Sequence, residues 1–204
     1  LYGGLGRVSL SDPGAIMTVD QVSGAGILVG DPVTPGGLTG LGADSSGLLW
    51  GSSIDGPGGN RVSNLVQIDP ASGALISSVP ILVGGAPISI GDLAVQPGTD
   101  VIFGVHSNSD GANSCGIIYT INESGLAVLV GDTGQGRSGG LSFDSDGNFW
   151  YLEFNQLHQL DPTNAAILNT TNLDFGGHDG LAIRPSDNVF YATGSGPSNQ
   201  QVRI

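Results

Sequence analysis

The sequence predicts an all-β fold, a β-propeller of repeated four-stranded antiparallel blades of about 40–52 residues each. Three observations carry this. A strand–turn–strand hairpin recurs: residues 40–50 (Gly-Leu-Gly-Ala-Asp-Ser-Ser-Gly-Leu-Leu-Trp) align without a gap on residues 140–150 (Gly-Leu-Ser-Phe-Asp-Ser-Asp-Gly-Asn-Phe-Trp). Residues 180–190 are a third copy and residues 92–103 a fourth, one residue longer. A second element follows each hairpin, an alternating strand that ends in an Asx-type turn and leads to another apolar strand, as at 65–76, 118–130 and 157–168. The key leucines Leu41, Leu93, Leu141 and Leu181 are 52, 48 and 40 residues apart, a blade-length repeat, and no segment shows a helical period.

Taken in order, the repeat divides a single propeller domain, 1–204, into units at 1–37, 38–87, 88–136, 137–177 and 178–204. Naming the strands of one unit A to D, residues 1–4, 15–20 and 26–31 read as B, C and D of the first unit, which lacks A. The three middle units read as complete, with length variation in the B–C loops 52–64 and 106–116. Residues 201–204 match strand C of the last unit, which lacks D, for 18 strands in all. Eighteen strands do not make whole blades, so the first and last blades are expected to be incomplete within this sequence. A propeller continuing in a longer chain is the favoured explanation; completion of the two units by segments outside this sequence and self-association through the incomplete terminal blades are the others.

Alternation along each strand gives a sheet with two apolar faces, and such a sheet must be covered on both sides. Radial stacking of blades does this. Trp50, Phe103, Trp150, Tyr151, Phe190 and Tyr191 read as lying near the end of strand B and are expected to pack between blades.

Composition narrows the function classes. There are 18 acidic residues, 5 arginines and no lysine, for a net charge of −13, and the arginines are scattered. Nucleic acid is therefore excluded as an expected partner, since phosphate backbones are held by clustered cations. The same charge disfavours an anionic membrane surface, and no run of 18 apolar residues suggests membrane insertion. An acidic, lysine-free surface suits salty extracellular water, which leads to the expectation of a secreted or cell-surface protein. Cys115 is the single cysteine, so neither an intrachain disulfide nor a cysteine metal cluster has its ligands.

The Gly-Leu start, the Asp/Gly/Asn turn, the aromatic and the strand ending in Asp-Pro-x-x-Gly or its variants (69–73, 161–164) resemble secreted bacterial propellers of the NHL and streptogramin-lyase-like kind. The resemblance is architectural and covers nearly the whole chain. It implies a propeller, and a group whose members include lyases, lactonases, sugar-binding modules and cell-surface interaction proteins. The lyase's catalytic histidine and metal-ligand motif is not recognisable in this sequence.

Candidate chemistry is sparse. Asp92, Arg137, Ser138, His178 and Asp179 occupy comparable positions just before or at strand A, where a propeller channel has its mouth, and are candidate ligand-binding residues there. As ordinary loop residues they would do nothing more than solvate that rim. His158 reads as an exposed strand residue and His106 as a solvated loop opener. Asp144-Ser145-Asp146-Gly147-Asn148 begins like a calcium loop but lacks the later acidic ligand, which makes Asp144 and Asp146 weak metal candidates and a plain hairpin turn the favoured reading. The sequence points to no catalytic residue and to no cofactor, with a divalent cation such as calcium as the alternative. No nucleophile elbow or phosphate loop is present. The expected function is a non-catalytic extracellular or cell-surface propeller that binds a protein or glycan or builds an assembly. The alternative is a lyase- or lactonase-type enzyme with a polar site at the central channel.

Overall fold

A computed structural model of the chain describes all residues except 6–12, 33–35, 56–60, 108–114, 138, 175–176, 195–201 and 204; at 178, 179, 194, 202 and 203 it describes the backbone alone. Every regular element among the described residues is a β-strand. The strands form five blade-like antiparallel sheets of a β-propeller. The first is β1 (Tyr2–Gly4), β2 (Ile16–Val19) and β3 (Gly26–Gly30). The second is β4 (Leu38–Ala43), β5 (Leu49–Asp55), β6 (Val62–Ile68) and β7 (Leu75–Pro80), followed by a small hairpin of β8 (Leu82–Val83) and β9 (Ala86–Pro87). The third is β10 (Ile90–Val95), β11 (Ile102–His106), β12 (Ile117–Ile121) and β13 (Ala127–Asp132). The fourth is β14 (Gly140–Phe143), β15 (Phe149–Glu153), β16 (Gln156–Leu160) and β17 (Ile167–Asn172), and the fifth is β18 (His178–Arg184), β19 (Val189–Gly194) and β20 (Val202–Arg203).

Within each sheet, strands pair in sequence order, so each is a simple meander. The inner strands β4, β10, β14 and β18 pack on one another around a common axis, and β1 packs on β4. The outermost strands β3, β7, β13 and β17 present their side chains to solvent, with Ile27, Val128, Leu129 and Leu168 all more than half exposed. The sequence reading did not contain β8 and β9. Its signal is the pair Gly84-Gly85, both with positive φ (58° and 87°), the conformation a two-residue type I′ hairpin turn demands.

Blade faces are covered by neighbours, as the two-sided apolar strands require. Phe103 of the third sheet meets Phe143 and Phe149 of the fourth at ring-centroid distances of 5.4 and 5.0 Å. Trp150 of the fourth meets Phe190 of the fifth edge-on at 5.2 Å. These aromatics do lie between blades, but at the start of strand B, not near its end: Trp50, Phe103, Trp150 and Phe190 are each the second residue of their strand. Placement at the start puts the ring beside the A–B turn, where the indoles find an acceptor. Asp44 Oδ2 accepts from Trp50 Nε1 at 2.9 Å, and Asp144 Oδ2 from Trp150 Nε1 at 3.0 Å.

Two further devices fix one blade on the next. Successive A–B turns are clasped, with Ser45 N donating to Asp100 Oδ1 at 2.8 Å and Ser145 N to Asn188 Oδ1 at 3.0 Å. At the rim, the C–D turn of one sheet lies against the outer strand of the sheet before it. A Cβ built on Gly131 of β13 would stand 1.9 Å from the Asn164 carbonyl oxygen in the β16–β17 turn, which leaves no room for a side chain. Gly131→Ala is therefore expected to cost about 1–3 kcal/mol, because backbone must move to admit the methyl group. Gly136→Ala, where a Cβ meets nothing within 4 Å, is expected to be close to neutral; urea titration of both variants checks the pair.

Candidate functional site

The repeat's Gly-Leu dipeptide builds the axial site. Where inner strands converge they approach too closely for side chains. A Cβ on Gly40 would lie 2.4 Å from both Leu93 N and Asp92 Oδ1, and one on Gly140 would lie 2.3 Å from Leu181 N. The leucine that follows each of these positions turns toward the axis. Leu41, Leu93, Leu141 and Leu181 together line an axial cavity of about 280 Å³, whose remaining wall includes Leu1 and Tyr2. A second cavity of about 190 Å³ shares several of these residues and is bounded by the whole of β1, by Thr39 and Asp92, and by Tyr191 and Thr193 of the fifth sheet. The first and last sheets thus face each other across the cavity. Among the described residues Arg184, paired bidentately with Asp187, ties them by donating to Gln21 Oε1 at 2.6 Å.

Asp92 stands where the other inner strands have Gly40, Gly140 and Gly180, and its carboxyl is strongly perturbed. It is buried, with Oδ1 accepting from Leu93 N and Oδ2 from Leu141 N, both at 2.8 Å. The second bond crosses from the third blade to the fourth. Burial pushes the carboxyl well above its ordinary value of 3.8, against the two amides that pull it down. Asp92 therefore acts as a staple between inner strands, in the place where a glycine elsewhere permits direct backbone approach.

Of the five candidates for the channel mouth, Asp92 lines the cavity and Arg137 does not. The Arg137 guanidinium lies 5.1 Å above the Phe154 ring, and its charge lowers the Glu153 carboxyl, which burial on balance raises. Its backbone carbonyl accepts from the Tyr151 hydroxyl. Ser138 lies outside the described residues. His178 and Asp179 are placed by their backbone at the start of β18, where the ladder shifts register between His178 and Gly180. The same shift occurs at Leu38/Gly40 and Ile90/Asp92, a bulge that repeats at the mouth ends of β4 and β10.

Asp144 and Asp146 form a hairpin turn. Asp144 Oδ1 accepts from the amides of Asp146 and Asn148, and Oδ2 from Asn148 Nδ2 and Trp150 Nε1. Burial raises this carboxyl, but the donors together outweigh it and hold it below the usual range; Asp44 behaves alike. Among the described residues no group of three His, Cys, Asp or Glu side chains is placed to hold a metal ion.

Two histidines differ from their sequence reading. His106 and His158 are buried, at 4% and 1% exposure, whereas solvated positions were expected. Alternation along a strand separates inside from outside only when one face meets water, and in a blade both faces are covered. His158 stacks on Tyr151 with centroids 5.9 Å apart, and its Nδ1 pairs with Thr170 Oγ1 at 2.9 Å. Its Nε2 is buried without a hydrogen-bond partner among the described residues, and burial lowers its pKa from 6.5. The folded protein then holds fewer protons than the unfolded chain just below pH 6.5, so this contribution to stability is complete above that pH and lost as pH falls through the folded value. His158→Leu is expected to flatten the stability profile as pH falls below about 6.5, as read from denaturation midpoints on either side of that pH.

No protein-family model matches the chain, and comparison of its sequence with curated proteins gives no match. Solved structures do match. A gluconolactonase from Xanthomonas campestris aligns with a TM-score of 0.59 at 14% identity, over 88% of this chain and 62% of its own. A catalytically inactive virginiamycin B lyase from Staphylococcus aureus with quinupristin aligns at 0.54 and 13% identity, over 93% of this chain and 62% of its own. A structure of the nidogen–laminin complex aligns at 0.57 and 12% identity, over 89% and 64%. The likeness is one of fold. It spans enzymes and a protein–protein complex, as expected of an architecture that hosts unrelated functions. The chain spans less than two thirds of the length of each of these three.

Proposed function

We propose that this chain is a non-catalytic, extracellular or cell-surface propeller whose axial cavity, between the first and last blades, binds a protein or glycan. The observation that carries the reading is the composition of that cavity wall. It offers a phenol at 39% exposure (Tyr2), a second aromatic (Tyr191), the Thr193 hydroxyl and the edge of a β-strand, while the Thr39 hydroxyl is held by Ser52 and the Ile90 carbonyl. Such a wall suits recognition through stacking and hydrogen bonds. The carboxyl that reaches it, Asp92, has both oxygens accepting backbone amides, which supports a structural rather than an acid–base task. Net charge −13 without lysine supports a neutral or basic partner and an extracellular setting.

The test is amide chemical-shift mapping against two neutral probes, an extended apolar peptide and a neutral oligosaccharide. Shifts at Gly40, Gly180 and Thr193 are expected for at least one of them, together with at least a tenfold loss of its affinity in Tyr2→Ala. Absence of shifts at the cavity with both probes would overturn the reading, as would steady turnover of a sugar lactone that Asp92→Asn abolishes while leaving the fold intact.

A further inference from the structure

We infer that the axial cavity is a slot for a fifth inner strand: an extended polypeptide segment of pattern Gly-Leu-small-apolar, paired antiparallel along the edge of β1. This rests on the binding reading above and specifies its partner. The backbone of β1 supplies the first argument. Leu1 O accepts from Val19 N and Leu5 N donates to Ala15 O, so the odd residues of β1 turn their backbone groups toward β2. The amides and carbonyls of Tyr2 and Gly4 therefore point to the opposite edge. That edge pairs with no strand among the described residues, and it lines the cavity. An edge strand of this kind is a template for strand addition.

The second sheet provides the template for what fits. Tyr2, Gly3 and Gly4 align with Trp50, Gly51 and Ser52 of β5, and there the even-numbered residues also face the inner strand, as the bond from Ile54 N to Gly37 O shows. In β4 the residues opposite Ser52, Gly51 and Trp50 are Gly40, Leu41 and Gly42. The same register on β1 places a glycine opposite Gly4, a leucine opposite Gly3 and a small residue opposite Tyr2. Side-chain volume supplies the second argument. Four equivalent leucines, Leu41, Leu93, Leu141 and Leu181, surround the 280 Å³ cavity, and among the described residues its β1 side has Leu1 and Tyr2 of the strand B position but no inner-strand leucine. An incoming leucine would bury its side chain among those four. Glycine suits the strand for the reason it suits residues 40 and 140, where neighbours on the axis stand too close for a Cβ, although the third inner strand has Asp92 at that position.

The probe is a synthetic, end-capped peptide with the sequence of residues 139–145, Gly-Gly-Leu-Ser-Phe-Asp-Ser, added to the 204-residue protein. Saturable binding is expected, with hydrogen exchange slowed at least tenfold at the amides of Tyr2 and Gly4 and unchanged at Gly3. Replacing the peptide's leucine by aspartate is expected to weaken binding at least tenfold. Tyr2→Pro in the protein removes an outward-facing amide together with the phenol while the β1–β2 ladder persists, and its affinity for the peptide is expected to fall at least tenfold below that of Tyr2→Ala, which loses the phenol alone. Unslowed exchange at Tyr2 and Gly4, or equal binding of the leucine and aspartate peptides, overturns the inference, and the second of these needs no protein variant. If the oligosaccharide shifts the cavity amides and the peptide does not, the strand is wrong and the binding reading stands; if neither probe does, both fall.

Discussion

Phe149→Ala is expected to destabilise the protein by about 3–5 kcal/mol, the range for deleting a fully buried phenyl ring. Phe149 has no exposure to solvent, stacks on Phe143 with centroids 4.5 Å apart and planes 10° apart, and touches Phe103 of the preceding blade. The ring is thus the middle of a three-aromatic contact joining the third and fourth sheets. Its removal costs the transfer energy of the side chain and leaves a cavity that rigid β-ladders on both sides cannot close. Urea denaturation followed by tryptophan fluorescence measures the effect. Trp50 and Trp150 report from the second and fourth blades, so a loss of coincidence between two spectral probes would signal that the blades had uncoupled. A shift in midpoint corresponding to less than about 1 kcal/mol would mean that the aromatic contact is not what holds these blades together.

Asp92→Ala carries the second large effect, about 2–4 kcal/mol. It strips the acceptors from two buried amides, Leu93 N and Leu141 N, and an orphaned buried donor costs about 1–3 kcal/mol. Relief of the desolvated carboxyl offsets part of this. Asp92→Asn keeps one acceptor but aims an amide donor at the other N–H, so it is expected to fall between wild type and alanine. The two variants also separate the pH dependence. Because the folded carboxyl is raised, the native state holds more protons than the unfolded chain above pH 3.8, so this site's contribution declines as pH rises from about 4 toward the folded value and is constant beyond it. Both variants are expected to lose that decline. A wild-type profile that rises monotonically through this window, with Asp92→Asn parallel to it, would show that the carboxyl is not perturbed as its burial implies. His158 acts in the opposite direction, so the difference between variant and wild type, not the raw profile, is the quantity to read.

The function-bearing parts of the molecule were unevenly visible before folding. The hairpin turns were legible because their chemistry is local: Asp44 and Asp144 accept amides two and four residues away, a distance any sequence reader can count. The Gly-Leu dipeptide was legible as a repeat, yet its purpose was not, because the collision that a Cβ on Gly40 would make is with Asp92, 52 residues along the chain. Asp92 was singled out as a channel-mouth residue and does line the cavity, but as an inter-blade staple. Arg137, chosen on the same positional grounds, turns to Phe154 instead. His158 was misplaced in solvent because strand alternation does not tell which faces another blade will cover, and His106 because it was read as opening a loop, whereas it is the buried last residue of β11.

What the sequence by itself determined was the unit: strands, turns and their order, all set by interactions spanning a few residues and repeated often enough to stand out from noise. Only the tertiary structure decided what the units make between them, namely the leucine-lined axial cavity, the carboxyl staple from Asp92 to Leu141 and the outward edge of β1. The physical reason is that these depend on how closely strands about 40–50 residues apart in sequence approach one another around an axis. That closeness is fixed by packing on both faces of every blade at once, and no local pattern encodes it.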